Sequence, residues 1–411
     1  MKILHFKKYN YTIIKEIDDT YRNIGYSKIN NVKLVGRNHF NPNVLLYNNN
    51  LITPYDEKVM SLNKESFYDN NVYNLNEQDI TFNYNNIISE PIFFFIYNFD
   101  NYYHFLYDTL PYLYTFLYLK KINPNLKLLV NYPNKYKNEF YKFNFDFLKK
   151  IINLDDIIIH NEQNIYSIMY VSSSLTHGGF SNNLPRKEIY EIYDIIKSNC
   201  KLDDINIPKK IYISRRTWKN NDKSNIGTDY TTRRKMINED ELVNELNKLG
   251  FVEIFAENLS TDEKINLFSN AEIIIGSIGG GMANLLFCNK KTISVIIVTP
   301  YFLDINYRFK YSLESSNYNY FYDVETYKEN NSIPLFCRVK IKSTDKIGEI
   351  IEYNEKKYLI NISNNDIVGF NNSLNYDQQW IDENDFLLLD KGLNSPFKIN
   401  INKIIEFVKI I

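Results

Sequence analysis

Apolar positions along the chain follow two rhythms: short continuous runs of strand length, and longer stretches that repeat every three to four residues as a helix does. The first 90 residues show only short β-like runs such as VLLY (Val44 to Tyr47), joined by Asn-rich connections. Beyond them the pattern becomes regular. PIFFFIY (Pro91 to Tyr97) predicts a buried strand, Tyr103 to Leu119 an apolar helix, KLLVN (Lys127 to Asn131) a strand and Tyr136 to Ile152 an amphipathic helix. Alternation of this kind predicts a mostly parallel α/β sheet.

A polar segment containing Pro208, Asn199 to Lys209, is the expected linker to a second alternating series. That series opens with KIYIS (Lys210 to Ser214) and a Lys/Asn/Asp-rich loop to about Thr232. FVEIF (Phe251 to Phe255), EIIIG (Glu272 to Gly276) and TISVIIV (Thr292 to Val298) follow as strands of a Rossmann-like half. Asn238 with Glu241, and Ser260 with Glu263, have the spacing of a helix cap with its reciprocal carboxylate. From about Pro334, Arg338 to Ile362 alternates apolar and polar residues, and Trp380 and FLLLD (Phe386 to Asp390) come after it. This predicts a small antiparallel, SH3-like β module, and Ile401 to Ile410 predicts a closing helix. The expected division is an N-terminal α/β domain over 1–198, a second α/β domain over 210–330, the β module over 335–392 and the helical end over 393–411.

Length agrees with several domains, because 411 residues exceed the roughly 250 to 300 at which single cores stop growing. Hydrophobic residues at 44% and charged residues at 24% exclude a largely disordered chain. Lysine plus arginine (48) nearly cancels aspartate plus glutamate (49), so no global field draws the chain to nucleic acid, and any phosphate site must be local. Three dispersed cysteines, Cys200, Cys288 and Cys337, form no disulfide or zinc pattern and fit a reducing compartment, the cytoplasm. The N-terminus shows no secretory apolar run, and the most apolar stretch, Phe105 to Leu119, is short of the roughly 20 residues of a membrane span. No transmembrane segment is expected, which leaves peripheral membrane contact open.

Three segments carry residue types suited to chemistry. GSIGGGMANLLF (Gly276 to Phe287) lies between a strand and a helical run, where glycines permit positive φ and close ligand approach and N–H groups favour phosphate. The alternative is a merely tight turn, and the spacing is neither GxGxxG nor a P-loop. ISRR (Ile213 to Arg216) ends a strand, and Arg233 and Arg234 precede a helix; guanidinium groups there suit a nucleoside diphosphate, or are solvated surface charge. NYYHFLYD (Asn101 to Asp108) puts His104 and Asp108 at i and i+4, which suits a general base held by a carboxylate or a packing histidine satisfied by its neighbour. His177, in THGGF, is ambiguous in the same way, while His5, His39 and His160 suggest no partner. There is no DxD, HExxH or GxSxG.

Four segments in order, NYYHFLYDTLP (from Asn101), IYISRR (from Ile211), RRKMINEDEL (from Arg233) and LSTDEKINLFSNAEIIIGSIGGGMANLLF (from Leu259), resemble glycosyltransferase family 61, the DUF563 group that includes capsular-polysaccharide-type transferases. The resemblance covers about Pro91 to Pro300. It implies a GT-B fold, two Rossmann-like domains facing a cleft, and inverting, metal-independent transfer from a nucleotide sugar, expected to be UDP-linked, to a glycan or other hydroxyl acceptor, with no cofactor. By position, His104 and Asp108 match the family's His and Asp, Ser214, Arg215 and Arg216 its SRR, Arg234 and Asn238 its RxxxN, and Gly279, Gly280, Gly281 and Asn284 its glycine-rich turn. Many members have histidine where this chain has Ile278, and a glutamate in the strand that here reads SVIIV. Ile278 cannot donate a hydrogen bond to phosphate, so a catalytically inactive GT-B-like protein that binds a nucleotide sugar or glycan is the alternative. A further rival makes the β module the functional part, docking a partner or glycan.

Overall fold

In the computed structural model the chain divides into two units, Met1–Lys201 and Leu202–Ile411. Residues 3–16, 23–35, 44–48, 50–54, 86–97, 99, 101–132, 139–176, 186–200, 207–216, 234–301, 317–328, 332–362, 377–392 and 394–411 are described. His39, His177 and Arg233 lie outside them. Among the described residues no helix is long and apolar enough to cross a membrane.

The first unit is built on one sheet. Its strands are β1 (Ile3–His5), β2 (Tyr11–Lys15), β3 (Ile24–Val35), β4 (Val44–Tyr47), β5 (Asn50–Thr53), β6 (Ile87–Ile88), β7 (Ile92–Phe94), β8 (Lys127–Val130), β9 (Ile157–Ile159) and β10 (Ile165–Ser172), in the order β1-β5-β4-β3-β10-β7-β8-β9. The expected mostly parallel sheet is corrected to a mixed one. Strands β10, β7, β8 and β9 run parallel, but β10 pairs antiparallel with β3, which pairs antiparallel with β2 and β4. Hydrophobic pattern reports burial, not strand direction, so the hairpins of the first 54 residues were invisible as partners of the later strands.

Two helices also differ from expectation. The stretch predicted as one helix from Tyr103 to Leu119 is a run of four pieces: α1 (Tyr102–His104), a π segment (Phe105–Thr109), a 3-10 turn (Leu110–Tyr112) and α2 (Leu113–Ile122). Pro111 explains the break, since it has no N–H to give the carbonyl one turn earlier. Tyr136 to Ile152 shrinks among the described residues to α3 (Lys142–Leu148), closed where the Leu148 carbonyl accepts from both Ile151 and Ile152. A further helix, α4 (Ile189–Ser198), buries Ile189, Ile192, Tyr193 and Ile196 on one face.

His160, just past β9, shares a 2.7 Å hydrogen bond with the Tyr166 hydroxyl, and burial pushes its pKa down to about 4 from 6.5. A folded pKa below the unfolded one means that the unfolded chain takes up the proton first as pH falls. The stabilisation is therefore complete above about pH 6.5 and is lost between there and about pH 4. Denaturant midpoints measured across this window should fall with pH, and His160→Gln should flatten that part of the slope; an unchanged slope would reject the assignment.

In the second unit β11 (Lys210–Ile213), β12 (Val252–Ile254), β13 (Ile273–Ser277), β14 (Ile293–Ile297) and β15 (Tyr318–Phe321) form a sheet in the order β12-β11-β13-β14-β15, and every pairing is parallel. On one face α5 (Glu239–Lys248) contributes Leu242, Val243 and Leu246 to a core shared with Tyr212, Ile275, Val295 and Ile297. The terminal helix α7 (Ile401–Ile410), which follows α6 (Thr261–Asn270) in the chain, adds Ile401, Ile404, Ile405 and Val408 to the same core. That i, i+3, i+4, i+7 stripe accounts for its docking, at about 1.5–3 kcal/mol for each fully buried aliphatic side chain. Ser260 and Glu263 form the expected reciprocal cap on α6.

The β module is an insertion whose two ends meet. Before it, β16 (Val324–Thr326) pairs antiparallel with β22 (Phe397–Ile399) after it. Between them β17 (Arg338–Ile341), β18 (Ile347–Asn354), β19 (Lys357–Ile362), β20 (Asp377–Asp382) and β21 (Phe386–Leu388) make an antiparallel sheet in the order β20-β19-β18-β17-β21. Its own core holds Val339, Ile341, Ile350, Tyr358, Ile360 and Phe386. The antiparallel sheet agrees with the small β module expected, and a 3-10 turn, Glu383–Asp385, leads into β21.

Candidate functional site

In the first unit the residues suited to chemistry follow the C-terminal end of β7, the side of a parallel sheet on which ligands bind. Asn101 caps α1 by accepting from the His104 N–H at 3.1 Å. His104 Nδ1 then meets Asp108 Oδ2 at 2.5 Å, with the carboxylate buried and the imidazole one-third exposed (32%). Asp108 stands within the π segment, a wider turn of the kind often found at functional sites. With Nδ1–H donating to Asp108, the lone pair is on Nε2.

Sequence reasoning missed how this widened turn is held. In the π segment the Leu110 N–H bonds Phe105 O, one residue further back than in an α-helix, so the Leu106 carbonyl loses its helical donor. The Tyr193 hydroxyl of α4 replaces it at 2.8 Å, and burial raises the Tyr193 pKa well above its usual range, keeping the donor protonated. No spacing rule links residues 87 apart.

In the second unit Arg215 follows β11 and sends Nη1 to the Ile278 carbonyl at 2.9 Å, directly before the glycine-rich turn. Burial lowers its pKa, and the charges of Glu239 and Glu257 oppose that shift. A Cβ on Gly279 would lie 2.1 Å from Arg215 Nη1, so any side chain there would displace the guanidinium, which passes against the backbone. Gly279 does not use the positive φ that glycine permits: it is extended, with φ 167 and ψ −178. Nothing lies within 4 Å of a Cβ built on Gly280, which opens the 3-10 segment Gly280–Phe287. The first N–H groups of such a segment have no acceptor within it. Gly281 instead sits against Ile213 Cγ2, and the buried Asn284 folds its amide back onto the Gly281 carbonyl at 2.9 Å.

The remaining candidates are engaged by protein groups. Arg216 donates from Nε and Nη2 to Glu253 and from Nη1 to Asp240, which raises its pKa. Arg234 adopts a left-handed φ of 54° and bonds its N–H to Asn394 O. Asn238 does not form the expected reciprocal cap on α5. Its amide clasps Ile399 instead, donating to the carbonyl at 2.8 Å and accepting from the N–H at 3.1 Å. The RxxxN segment thus anchors the returning strand β22. Ile278 is fully buried, and its N–H bonds Ile297 O.

Glu239 was a second omission. This buried first residue of α5 accepts at Oε1 from Tyr212 Oη (2.8 Å), Ser214 Oγ (3.1 Å) and the Arg215 N–H (2.9 Å), fixing the strand end from which Arg215 departs. Burial raises its pKa against the pull of those donors. Among the described residues no three His, Cys, Asp or Glu side chains gather as metal ligands would.

Residues 102–295 match the family model for Glycosyltransferase 61, a segment that begins at α1, ends within β14 and contains His104, Asp108, Ser214, Arg215, Arg216, Arg234, Asn238, Gly279, Gly280, Gly281 and Asn284. No curated protein matches the chain. Just under half of its length therefore matches the glycosyltransferase family 61 domain, and that family implies glycosyltransferase activity, with a sugar donor and an acceptor.

Proposed function

We propose that the protein moves a sugar from a nucleotide-sugar donor, UDP-linked, to a hydroxyl of a glycan or glycoconjugate, with inversion and without a metal or other cofactor. The observation that carries this reading is the 2.5 Å His104–Asp108 pair in a family 61 domain. His104 Nε2 accepts the acceptor's hydroxyl proton as that oxygen bonds to the anomeric carbon, and the bond from that carbon to the diphosphate oxygen breaks. Asp108 stabilises the resulting imidazolium. The leaving diphosphate carries away the electron pair, a charge that Arg215 and the N-terminal N–H groups of the Gly280–Phe287 segment in the second unit are suited to bind. The chain's lack of a DxD sequence supports placing that charge on protein groups. Three cysteines without a disulfide support a reducing, cytoplasmic setting.

A thermal-shift screen against UDP-, GDP-, dTDP- and CMP-sugars tests the donor half, because a ligand that binds only the folded chain raises its apparent stability. At least one donor should raise the midpoint in a concentration-dependent way and then be consumed when acceptor is added. A shift without consumption would favour the inactive binding protein, and no shift with any donor would reject the nucleotide-sugar reading.

A further inference from the structure

The Leu106 carbonyl is the vulnerable point of the widened turn in the first unit. An α turn would give it the Leu110 N–H, but that group bonds Phe105 O. Continuing the π pattern would give it the N–H of residue 111, which is proline and has none. Leu106 is fully buried, so water does not stand in for either helical donor. The Tyr193 hydroxyl meets the carbonyl at 2.8 Å.

That hydroxyl comes from a helix tied down at both ends. At the start of α4, Lys15 of β2 pairs with Glu188, and the Arg186 N–H bonds Leu175 O. Just past its end, the Asn199 amide donates to the Lys150 carbonyl at 2.7 Å, and Lys150 Nζ donates to the Asn199 carbonyl at 3.3 Å. Between these ties Ile189, Ile192 and Ile196 are buried alongside Tyr193. Tyr193 is therefore a fixed post, and burial, followed by nearby charges that include Asp108, keeps its hydroxyl protonated.

The register of this turn reaches the His104–Asp108 pair. His104 ends α1, and Asp108 follows four residues later inside the π segment. Without the Tyr193 donor, the Leu106 carbonyl can recapture the Leu110 N–H, and the turn closes as an α-helix. There, four residues rotate about 400°, which would set Asp108 about 40° past His104 around the axis. A turn that closes one residue later rotates each residue less. The change of register thus swings the Asp108 carboxylate around the axis, away from the position in which it meets Nδ1 at 2.5 Å. We propose that Tyr193 is a positioning residue for proton transfer, its hydroxyl holding the π turn in which Asp108 meets His104 Nδ1, a role that rests on His104 acting as the base.

Tyr193→Phe removes the hydroxyl and keeps the ring. NMR of the full chain, isotope-labelled at the histidine ring nitrogens, reads the Asp108 contact without any need for turnover. The chain has five histidines, and His104→Ala assigns the signal. Recorded below the variant's melting temperature, the His104 Nδ1 signal should move in Tyr193→Phe towards its position in Asp108→Asn. Turnover should fall about tenfold, one hydrogen bond's worth, with the donor dissociation constant unchanged. The losses in Tyr193→Phe and Asp108→Asn should not add, because both act through one contact. An unmoved His104 signal overturns the proposal, as do additive losses or a loss of turnover matched by equal weakening of the donor. If His104→Ala loses turnover and Tyr193→Phe does not, the positioning role alone falls. If the signal moves as expected but His104→Ala turns over like the parent chain, the base reading fails and takes the positioning role with it.

Discussion

Replacing His104 with alanine is expected to reduce turnover by about 10²–10⁴-fold, the usual contribution of a positioned general base, while donor affinity stays near its parental value. The split follows from where His104 sits: its imidazole is held by Asp108 in the first unit, whereas Arg215 and the glycine turn belong to the second. Asp108→Asn should lower turnover in the same direction, because an amide carries no charge to balance the imidazolium and can present an N–H to Nδ1, favouring the wrong tautomer. Single-turnover kinetics with saturating donor distinguish this from a folding defect. Unchanged turnover in His104→Ala, or equal loss of turnover and donor binding, would reject the base assignment. Full activity in Asp108→Asn would leave the 2.5 Å contact a packing feature of the π segment.

Arg215→Ala is expected to weaken nucleotide binding by roughly 10- to 100-fold, the range for losing a charged hydrogen bond in a desolvated position. Gly279→Ala should approach the same loss by a different route. Its new methyl would sit 2.1 Å from Arg215 Nη1, so the guanidinium must leave the place it holds against the Ile278 carbonyl. Since both changes act through one side chain, the double variant should be little worse than either single one, a non-additivity that a double-mutant cycle measures directly. Additive losses would show that the turn and the arginine bind the nucleotide independently. An unchanged nucleotide dissociation constant in Arg215→Ala would remove it from the donor site. Arg216→Ala is the informative contrast, because its donors are spent on Glu253 and Asp240 and its loss should register in stability before affinity.

Much of the site was legible because its elements are local. The i, i+4 spacing of His104 and Asp108, the arginines directly after a β11-type run and the Ser260–Glu263 cap are read within a few residues, and in each the physical cause is the geometry of a single turn or strand end. Asn238 shows where that reasoning stops. Its spacing to Glu241 meets the cap pattern, yet its amide is taken by Ile399, 161 residues away, because a strand returning after the inserted β module offers both a backbone donor and an acceptor. Tyr193 and Glu239 escaped notice for the same reason, each being a common residue made specific only by a distant partner.

The sequence by itself determined the alternation of strands and helices, the terminal amphipathic helix, the resemblance to family 61 and the residue types available for proton transfer and phosphate binding. These depend on periodicity and short-range spacing, which a linear chain carries in full. Only the tertiary structure decided that the first sheet is mixed and that Arg215, not Arg216, stands against the glycine turn. It also decided that Gly279 lies against a guanidinium with ordinary extended backbone angles, and that Glu239 gathers Tyr212, Ser214 and Arg215 at the end of β11. Those outcomes depend on which segments meet across long loops, and long-range pairing is set by burial of the whole chain, not by any one stretch of it.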